Sequence, residues 1–385
     1  MSFLSTIASA FKGGGGKRVP LARGFVSPWA VAFDGSSPRA PFDYGRAIHS
    51  SFVENPVAQR AVRIVAEGVG SAPLSASDSA LADLVKCPSA GQSLIETLAM
   101  HVLLHGNGFV QIMKDASGQP VELYALRPER VSVVAGEDGW PTAYHYRLAD
   151  RTLTIPLEDE AGWPNIIHLK SIHPGDDHYG AGSLAAAEQA VAIHNAASEW
   201  NRSLLENAAR PSGALVYETG DSGGLTTDQF ERLKSELTAA YAGQANAGRP
   251  MLLEGGLDWK AMSMSPADMD FATLKAAAAR DIALAFGVPP MLLGLPGDNT
   301  YANYREANRA LWRLTLLPLA GKILGGLQQG LSSWFADATL AVDLDQIPAL
   351  SEDRERLWSQ ISTAEFLSRD EKRAMIGLEP KGESA

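Results

Sequence analysis

The sequence predicts an α+β chain, and three observations carry that expectation. Between Phe109 and Leu169, short runs rich in Val, Ile and Tyr alternate with polar turns, the mark of antiparallel strand pairs. Two alanine-rich helical stretches, Ser183–Ala209 and Met269–Phe286, then bracket a compact mixed insert. Beyond them Trp312, Leu316, Leu319, Ile323, Leu327, Leu331 and Trp334 recur at spacings of three and four, the longest helical stripe in the chain.

Residues 1–44 are rich in Gly, Ser and Pro, show no sustained period, and read as a loose arm. Order is expected from Asn55-Pro56, an N-cap followed by proline at the first helical position. Val57, Ala61, Ile64, Val65 and Val69 continue as a helical stripe that ends at Gly70 and Pro73. Ser93 and Glu96 spell a capping box for a second helix carrying Leu94, Leu98, Val102 and His105. Gly106-Asn107-Gly108 breaks it. Phe109–Met113, the turn Asp115–Gln119 and Val121–Leu126 make a hairpin, and further strands are expected at Val131–Val134, Ala143–Leu148, Leu153–Ile155 and Ile166–Leu169.

After the polar loop His173–Gly180, the helix Ser183–Ala209 carries Leu184, Val191, Trp200 and Leu204, and Pro211 stops it. The insert reads as strand Ala214–Tyr217, helix Thr227–Tyr241, strand Met251–Leu253 and a further segment around Trp259–Met262. Phe230, Leu233, Leu237 and Tyr241 share one face of its helix, suited to packing on the insert strands and to contacts with other chains. The second alanine-rich helix ends at Gly287-Val288-Pro289-Pro290. Leu293–Thr300 is a Gly/Pro loop, and Pro318 is expected to kink the long helix that follows. A strand near Leu340–Leu344 and a charged helical pair, Glu352–Ile361 and Ala364–Ile376, close the chain.

Composition narrows the function. With 385 residues, 45% hydrophobic and 20% charged, the chain has apolar material for two or three domains. Its 33 Lys+Arg against 44 Asp+Glu leave a net charge of −11. A protein that grips phosphates over much of its surface must lean basic. This one leans acidic. Cys87 is the single cysteine, which excludes an intramolecular disulfide and a cysteine-based zinc site. The apolar start Met1–Phe11 has its charges, Lys17-Arg18, on the wrong side for a signal peptide. Arg313, Lys322 and several Gly and Gln interrupt Leu311–Phe335, so no membrane span is expected there.

The motifs that hint at chemistry have plainer readings. Gly220-Asp221-Ser222-Gly223-Gly224 spells the nucleophile segment of chymotrypsin-like proteases, yet no matching upstream His, all-β barrel or disulfide accompanies it. A Gly-rich turn accounts for it. His173, Asp176, Asp177 and His178 match no metal-site spacing, and Pro174-Gly175 makes a polar turn there. His101 and His105 lie one turn apart without the carboxylate that a zinc peptidase needs. Gly13–Lys17 lacks the strand and hydroxyl residue of a P-loop. No catalytic residue, no metal and no cofactor are expected.

Alanine over much of a helix lets neighbouring backbones approach closely, but it buries too little area to hold a lone helix. Helices of that kind suit side-by-side packing with others, including copies from other chains.

In this order, several segments make the chain resemble the portal proteins of long-tailed phages and of gene transfer agents. They are Asn55-Pro56-Val57 with Arg60–Pro73, Gly106-Asn107-Gly108-Phe109 through Leu126-Arg127-Pro128, and Gly182-Ser183 through Asn207 to Pro211-Ser212-Gly213. Gly248-Arg249-Pro250 through Gly255-Gly256-Leu257, Phe286-Gly287-Val288-Pro289-Pro290, Thr300-Tyr301-Ala302-Asn303 and Leu316-Leu317-Pro318 complete the set. The resemblance covers roughly residues 45–380.

It implies a homo-oligomeric ring, usually a dodecamer, at one capsid vertex of the virion, assembled in the host bacterial cytoplasm. Expected partners are the major capsid protein, the terminase large subunit, a head–tail adaptor and double-stranded DNA held without sequence preference, with no membrane involved. By analogy, 1–44 is an arm, 45–182 the wing, and 183–209 and 269–288 the stem helices. The clip is 210–268, the tunnel loop 289–302, the long wing helix and returning strand 303–350, and a short crown 351–385. The DNA-channel loop is Leu295, Pro296, Gly297, Asp298, Asn299 and Thr300. Across 215–300 the sequence holds 11 Asp/Glu against 6 Lys/Arg, a balance that favours sliding DNA over holding it. Two other classes compete: a scaffold or adaptor ring without a DNA channel, and a serine hydrolase using Ser222.

Overall fold

The computed structural model describes residues 42–206, 213–217, 226–228, 231–232, 234–235, 257–261, 271–295 and 301–376. Its strands are β1 (Leu74–Ala76), β2 (Asn107–Lys114), β3 (Pro120–Leu126), β4 (Val131–Ala135), β5 (Pro141–Leu148), β6 (Arg151–Pro156), β7 (Ile166–Lys170), β8 (Gly213–Tyr217), β9 (Leu257–Ala261) and β10 (Leu340–Val342). The chain divides into two compact units. One takes residues up to Tyr44, Val65–Ser183 and the chain from Leu316 on; the other takes Gly45–Ile64 and Leu184–Thr315. The mixed helix-and-sheet content is that of an α+β fold.

In the first unit two small antiparallel sheets, β3-β2-β7 and β4-β5-β6, share one core. Phe109, Leu126, Val131, Tyr144, Tyr146, Ile155 and Ile166 interlock there, each on the inward phase of its strand. The turn Asp115–Gln119 forms because the Asp115 carboxylate accepts amide hydrogens from Ser117 and Gln119. Leu94–His105 packs on this sheet region, and Leu317–Gly330 crosses β7. Gly326 and Gly330 permit that crossing, since a Cβ at either would overlap Leu169 or Ile167.

A polar clasp ties the hairpin to the helix end. The Lys114 ammonium, with its side chain 13% exposed, donates to Asp159 at 2.6 Å, Asn165 at 3.0 Å and the Trp163 carbonyl at 3.3 Å. It also sits 5.4 Å over the Trp334 ring, whose Nε1 donates to the Gly118 carbonyl. Lys114 holds the Asp159 carboxyl below its ordinary range.

Several expectations need correction. Among the described residues regular structure begins at Tyr44 rather than Asn55: helix Tyr44–Ile48 runs into a π-turn, His49–Val53. Only half of the Ser93 capping box forms, with Ser93 accepting from the Glu96 amide. The last helix among the described residues is Arg369–Met375, opened by a complete Ser368–Glu371 box, so Ala364–Ser368 lies outside it. A strand and a helix that the periodicity does not announce, β1 and Ser79–Lys86, fill the stretch before Ser93; Asp78 caps the helix, and β1 pairs with β10.

At Pro318, where a kink was expected, the structure shows a π-turn just before the proline. It offers no amide hydrogen, and its ring crowds the carbonyl of Leu314, so a π-turn at Trp312–Leu316 separates helix Tyr301–Leu311 from Leu317–Gly330. By length and mean hydropathy, 1.2, Ala302–Gly330 also matches a membrane span. Here its apolar side chains Ala320, Ile323, Leu324 and Leu327 are buried in the protein.

Candidate assembly and channel elements

The first element is the helix Ser183–Glu206. Its Leu184, Ala187, Val191 and Ala197 are buried, and Trp200 is half-exposed. The π-turn segment is strapped onto it by side chains of the second unit. Arg46 pairs with Glu188 at 3.2 Å, and Asn195 donates to the Ser50 carbonyl at 2.8 Å. Asn55 has two tasks. Its Oδ1 accepts from Val57 and Ala58 as the expected N-cap, while its Nδ2 reaches His194 and Asn195. Burial, with Lys275 adding, lowers the His194 pKa and keeps the ring neutral.

The start of that helix is set by a lock in the first unit that sequence reasoning missed. Asn107, 1% exposed, accepts from the Gly180 amide at 2.7 Å and from His168 Nε2 at 3.1 Å. Its Nδ2 donates to the carbonyls of Gly180 and His105 and to His105 Nδ1. Gly106 sits at φ 82 and ends Leu94–His105. A Cβ at Gly182 would lie 2.1 Å from the Leu104 carbonyl oxygen, and one at Gly180 would strike that of Gly106. The glycines let two backbones touch, and Asn107 satisfies the polar groups this contact buries. The sequence signal was Gly106-Asn107-Gly108, which reads by itself only as a helix break.

Around the lock, Phe109 stacks on His168 at 4.2 Å. Burial chiefly depresses the His168 pKa to about 3, with Lys170, His105 and His178 adding, and that of His101 to about 4. Both imidazoles are structural and neutral. The loop 173–178 is a set of turns: Asp176 accepts from the amides of His178 and Tyr179, and Gly175 donates to His173 Nδ1. No group of three His, Cys, Asp or Glu suited to a metal occurs among the described residues.

The second alanine-rich helix is Phe271–Ala285, with Ala278, Ala279, Ile282 and Ala283 buried. Gly287, at φ 66, terminates it, and the Thr315 hydroxyl donates to the Gly287 carbonyl at 2.6 Å. A 3-10 turn, Pro290–Leu293, follows and ends at Gly294 in the left-handed region. Leu295, half-buried, donates its amide to the Pro290 carbonyl. Both ends of the loop are therefore fixed, by this turn and by helix Tyr301–Leu311. Pro296, Gly297, Asp298, Asn299 and Thr300 lie outside the described residues.

The insert is closed at its root. β8 and β9 pair antiparallel, with Gly213 opposite Ala261, Leu215 opposite Trp259 and Tyr217 opposite Leu257. The segment singled out around Trp259–Met262, whose type the sequence left open, is thus a strand over Leu257–Ala261 that partners the one expected at Ala214–Tyr217. Thr227, Asp228, Glu231, Arg232, Lys234 and Ser235 are helical. Phe230, Leu233, Leu237 and Tyr241, Met251–Leu253 and the Ser222 motif lie outside the described residues.

The model of the phage portal protein family matches residues 56–377, most of the chain. The chain belongs to that family. A protein of Rickettsia bellii is 41% identical over 346 residues, covering 85% of this portal chain and 88% of the relative. The solved neck of a native gene transfer agent particle, computed with C12 symmetry, contains a chain 47% identical. The match covers 91% of this portal chain and 98% of that one, at a TM-score of 0.68. The crystal structure of an HK97-family portal protein from Corynebacterium diphtheriae shares the fold at 17% identity. There the match covers 80% of this portal chain and all of the other, with a TM-score of 0.56. The portal fold and the place of its kind in a particle neck are thereby established.

Proposed function

We propose that the chain forms a twelve-membered ring at the capsid vertex, through whose channel double-stranded DNA is packaged and later released. The carrying observation is the 47% identity to a chain of a neck solved with C12 symmetry. Leu284 and Leu314, 79% and 77% exposed, and half-exposed Trp200 lie on helices of the second unit. In a ring, exposed apolar side chains such as these can be buried by neighbouring copies.

In this reading residues 45–182 are the wing, 183–209 and 269–288 the stems, and 210–268 the clip. The tunnel loop is 289–302, the long wing helix and returning strand 303–350, and the crown 351–385. Leu295–Thr300 faces the axis, and Asp298, repeated round the ring, makes an acidic circle that touches DNA weakly and without sequence preference. Phe230, Leu233, Leu237 and Tyr241 brace the clip, which meets neighbouring subunits, the terminase large subunit during packaging and the head–tail adaptor afterwards. The wing meets the major capsid protein. The role is structural and not enzymatic: Ser222→Ala leaves assembly and particle production unchanged.

Mass photometry of the purified chain tests the ring, which should run near twelve times the 41.0 kDa subunit. Negative-stain images should show a central hole. A monomer, or a closed disc, would remove the channel.

A further inference from the structure

The Asn107 lock closes in one protonation state of His105 and not in the other. Backbone partners fix which way the Asn107 amide lies. Its Oδ1 is 2.7 Å from the Gly180 amide, which only donates. Its Nδ2 is 3.2 Å from the carbonyls of Gly180 and His105, which only accept. His105 Nδ1, 3.1 Å from that Nδ2, is therefore the acceptor and carries no proton. His168 Nε2, 3.1 Å from Oδ1, must carry one.

A further proton affects the two imidazoles differently. On His168 it goes to Nδ1, 3.5 Å from the Tyr144 hydroxyl, which is able to accept it. On His105 it goes to Nδ1 and sets one N–H against another. Turning the Asn107 amide over gives no relief, since Nδ2 would then face the Gly180 amide and Oδ1 the two carbonyls.

His105 is half-buried, so solvent protons reach it. Burial lowers its pKa from 6.5, while Glu129, in the turn Pro128–Arg130, pulls the other way. Arg127 pairs with Glu129 at 3.8 Å. His101 stands one turn back on the same helix, and across the lock lies His168, with Lys170 and His178 acting on it. Tyr44 meets the His105 ring edge-to-face at 4.7 Å and, with its own pKa raised, stays neutral. His101 and His168 are driven down to about 4 and about 3 with no carboxylate opposing, so His105 takes the first proton.

We propose that His105 is a proton-operated latch: a solvent proton taken up at Nδ1 displaces the Asn107 amide and frees Gly180 and the segment 171–182 that leads into helix Ser183–Glu206. With a pKa that is lowered when closed and ordinary when open, the latch holds fully above about pH 6.5 and weakens as pH falls below it.

Hydrogen exchange on the full chain, read at about pH 7.5 and about pH 5.5 and corrected for the intrinsic pH dependence of exchange, tests this. Opening at the Ser171 and Gly180 amides should rise about fivefold, against a ceiling of about tenfold for one proton at an open-state pKa near 6.5. Peptides from β4 to β6 should change less than about twofold on the same principle. His105→Asn puts a carboxamide oxygen where Nδ1 stands and cannot titrate, so the rise should vanish. His168→Gln keeps a donor in the place of Nε2 and cannot titrate either, yet the rise should persist. Glu129→Gln, at an exposed residue outside the lock, should move the midpoint of opening to lower pH, and it decides the matter if His105→Asn does not fold. A rise that survives in His105→Asn or disappears in His168→Gln would overturn the latch. So would an unmoved midpoint in Glu129→Gln, or no rise in the unaltered protein.

Discussion

Replacing Asn107 by alanine should loosen the segment that opens the helix Ser183–Glu206. The side chain is almost wholly enclosed, and its removal strands the Gly180 amide, 2.7 Å from Oδ1, and His168 Nε2 at 3.1 Å. It also deprives the Gly180 and His105 carbonyls of a donor. A buried donor left without an acceptor costs about 1–3 kcal/mol. One fully buried amide and one half-buried imidazole together give about 3 kcal/mol. Since about 1.4 kcal/mol is tenfold in an equilibrium constant, local opening of 171–183 should become on the order of a hundredfold more frequent. Native-state hydrogen exchange with peptide readout measures this, and the Ser171 and Gly180 amides report directly. Peptides from β4 to β6, which do not touch Asn107, serve as the internal control. Protection of 171–183 within threefold of the unaltered protein would refute the lock.

Three further outcomes follow from the same geometry. Gly182→Ala drives a Cβ to 2.1 Å from a backbone oxygen and should abolish soluble protein, whereas Gly321→Ala meets nothing within 4 Å in a helix and should stabilise by about 0.5–1 kcal/mol in thermal melts. His168 and His101 are held neutral, with pKa values of about 3 and about 4 against an ordinary 6.5. The unfolded chain therefore binds protons first as pH falls below about 6.5, so stability is complete above that pH and declines toward pH 3–4. His168→Gln should flatten that decline in denaturant titrations across the range. Asp298→Lys, on the tunnel-loop reading, places a cation beside phosphate in every subunit and should slow DNA packaging or release while sparing the ring; unchanged DNA content and transfer rate would place the loop elsewhere.

What the sequence disclosed depended on whether a signal was local. The hairpin and the strands to Leu169 were legible because alternation and turn chemistry coincide, as at Asp115, whose carboxylate holds its own turn. Asn55 and Pro318 announced a cap and a disrupted turn for the same reason. β1 was not legible: three residues carry no period, and its partner β10 lies far along the chain. The Tyr44–Val53 segment keeps its shape through Arg46–Glu188 and Ser50–Asn195, contacts that no window of sequence contains. At Glu96 the motif was present but the side chain did not close the box, because a capping pattern proposes a bond without compelling it. Asn107 was the opposite case. Its residue type suits a turn, and only the folded chain shows that it satisfies the backbone of a segment seventy-three positions away.

The pairing of β8 with β9 has a consequence for how such chains diversify. Both strands enter and leave through one ladder, so the two ends of the segment they enclose are held side by side, as a cassette is in its slot. Lengthening or replacing what lies between Tyr217 and Leu257 leaves the ladder and the two flanking helices their own contacts. Doubling such a loop costs only about 0.6 kcal/mol in closure entropy. On the clip reading, a particle lineage can therefore exchange the insert while keeping the rest of the subunit, and hybrids cut at Tyr217 and Leu257 are the natural place to graft one portal's insert onto another.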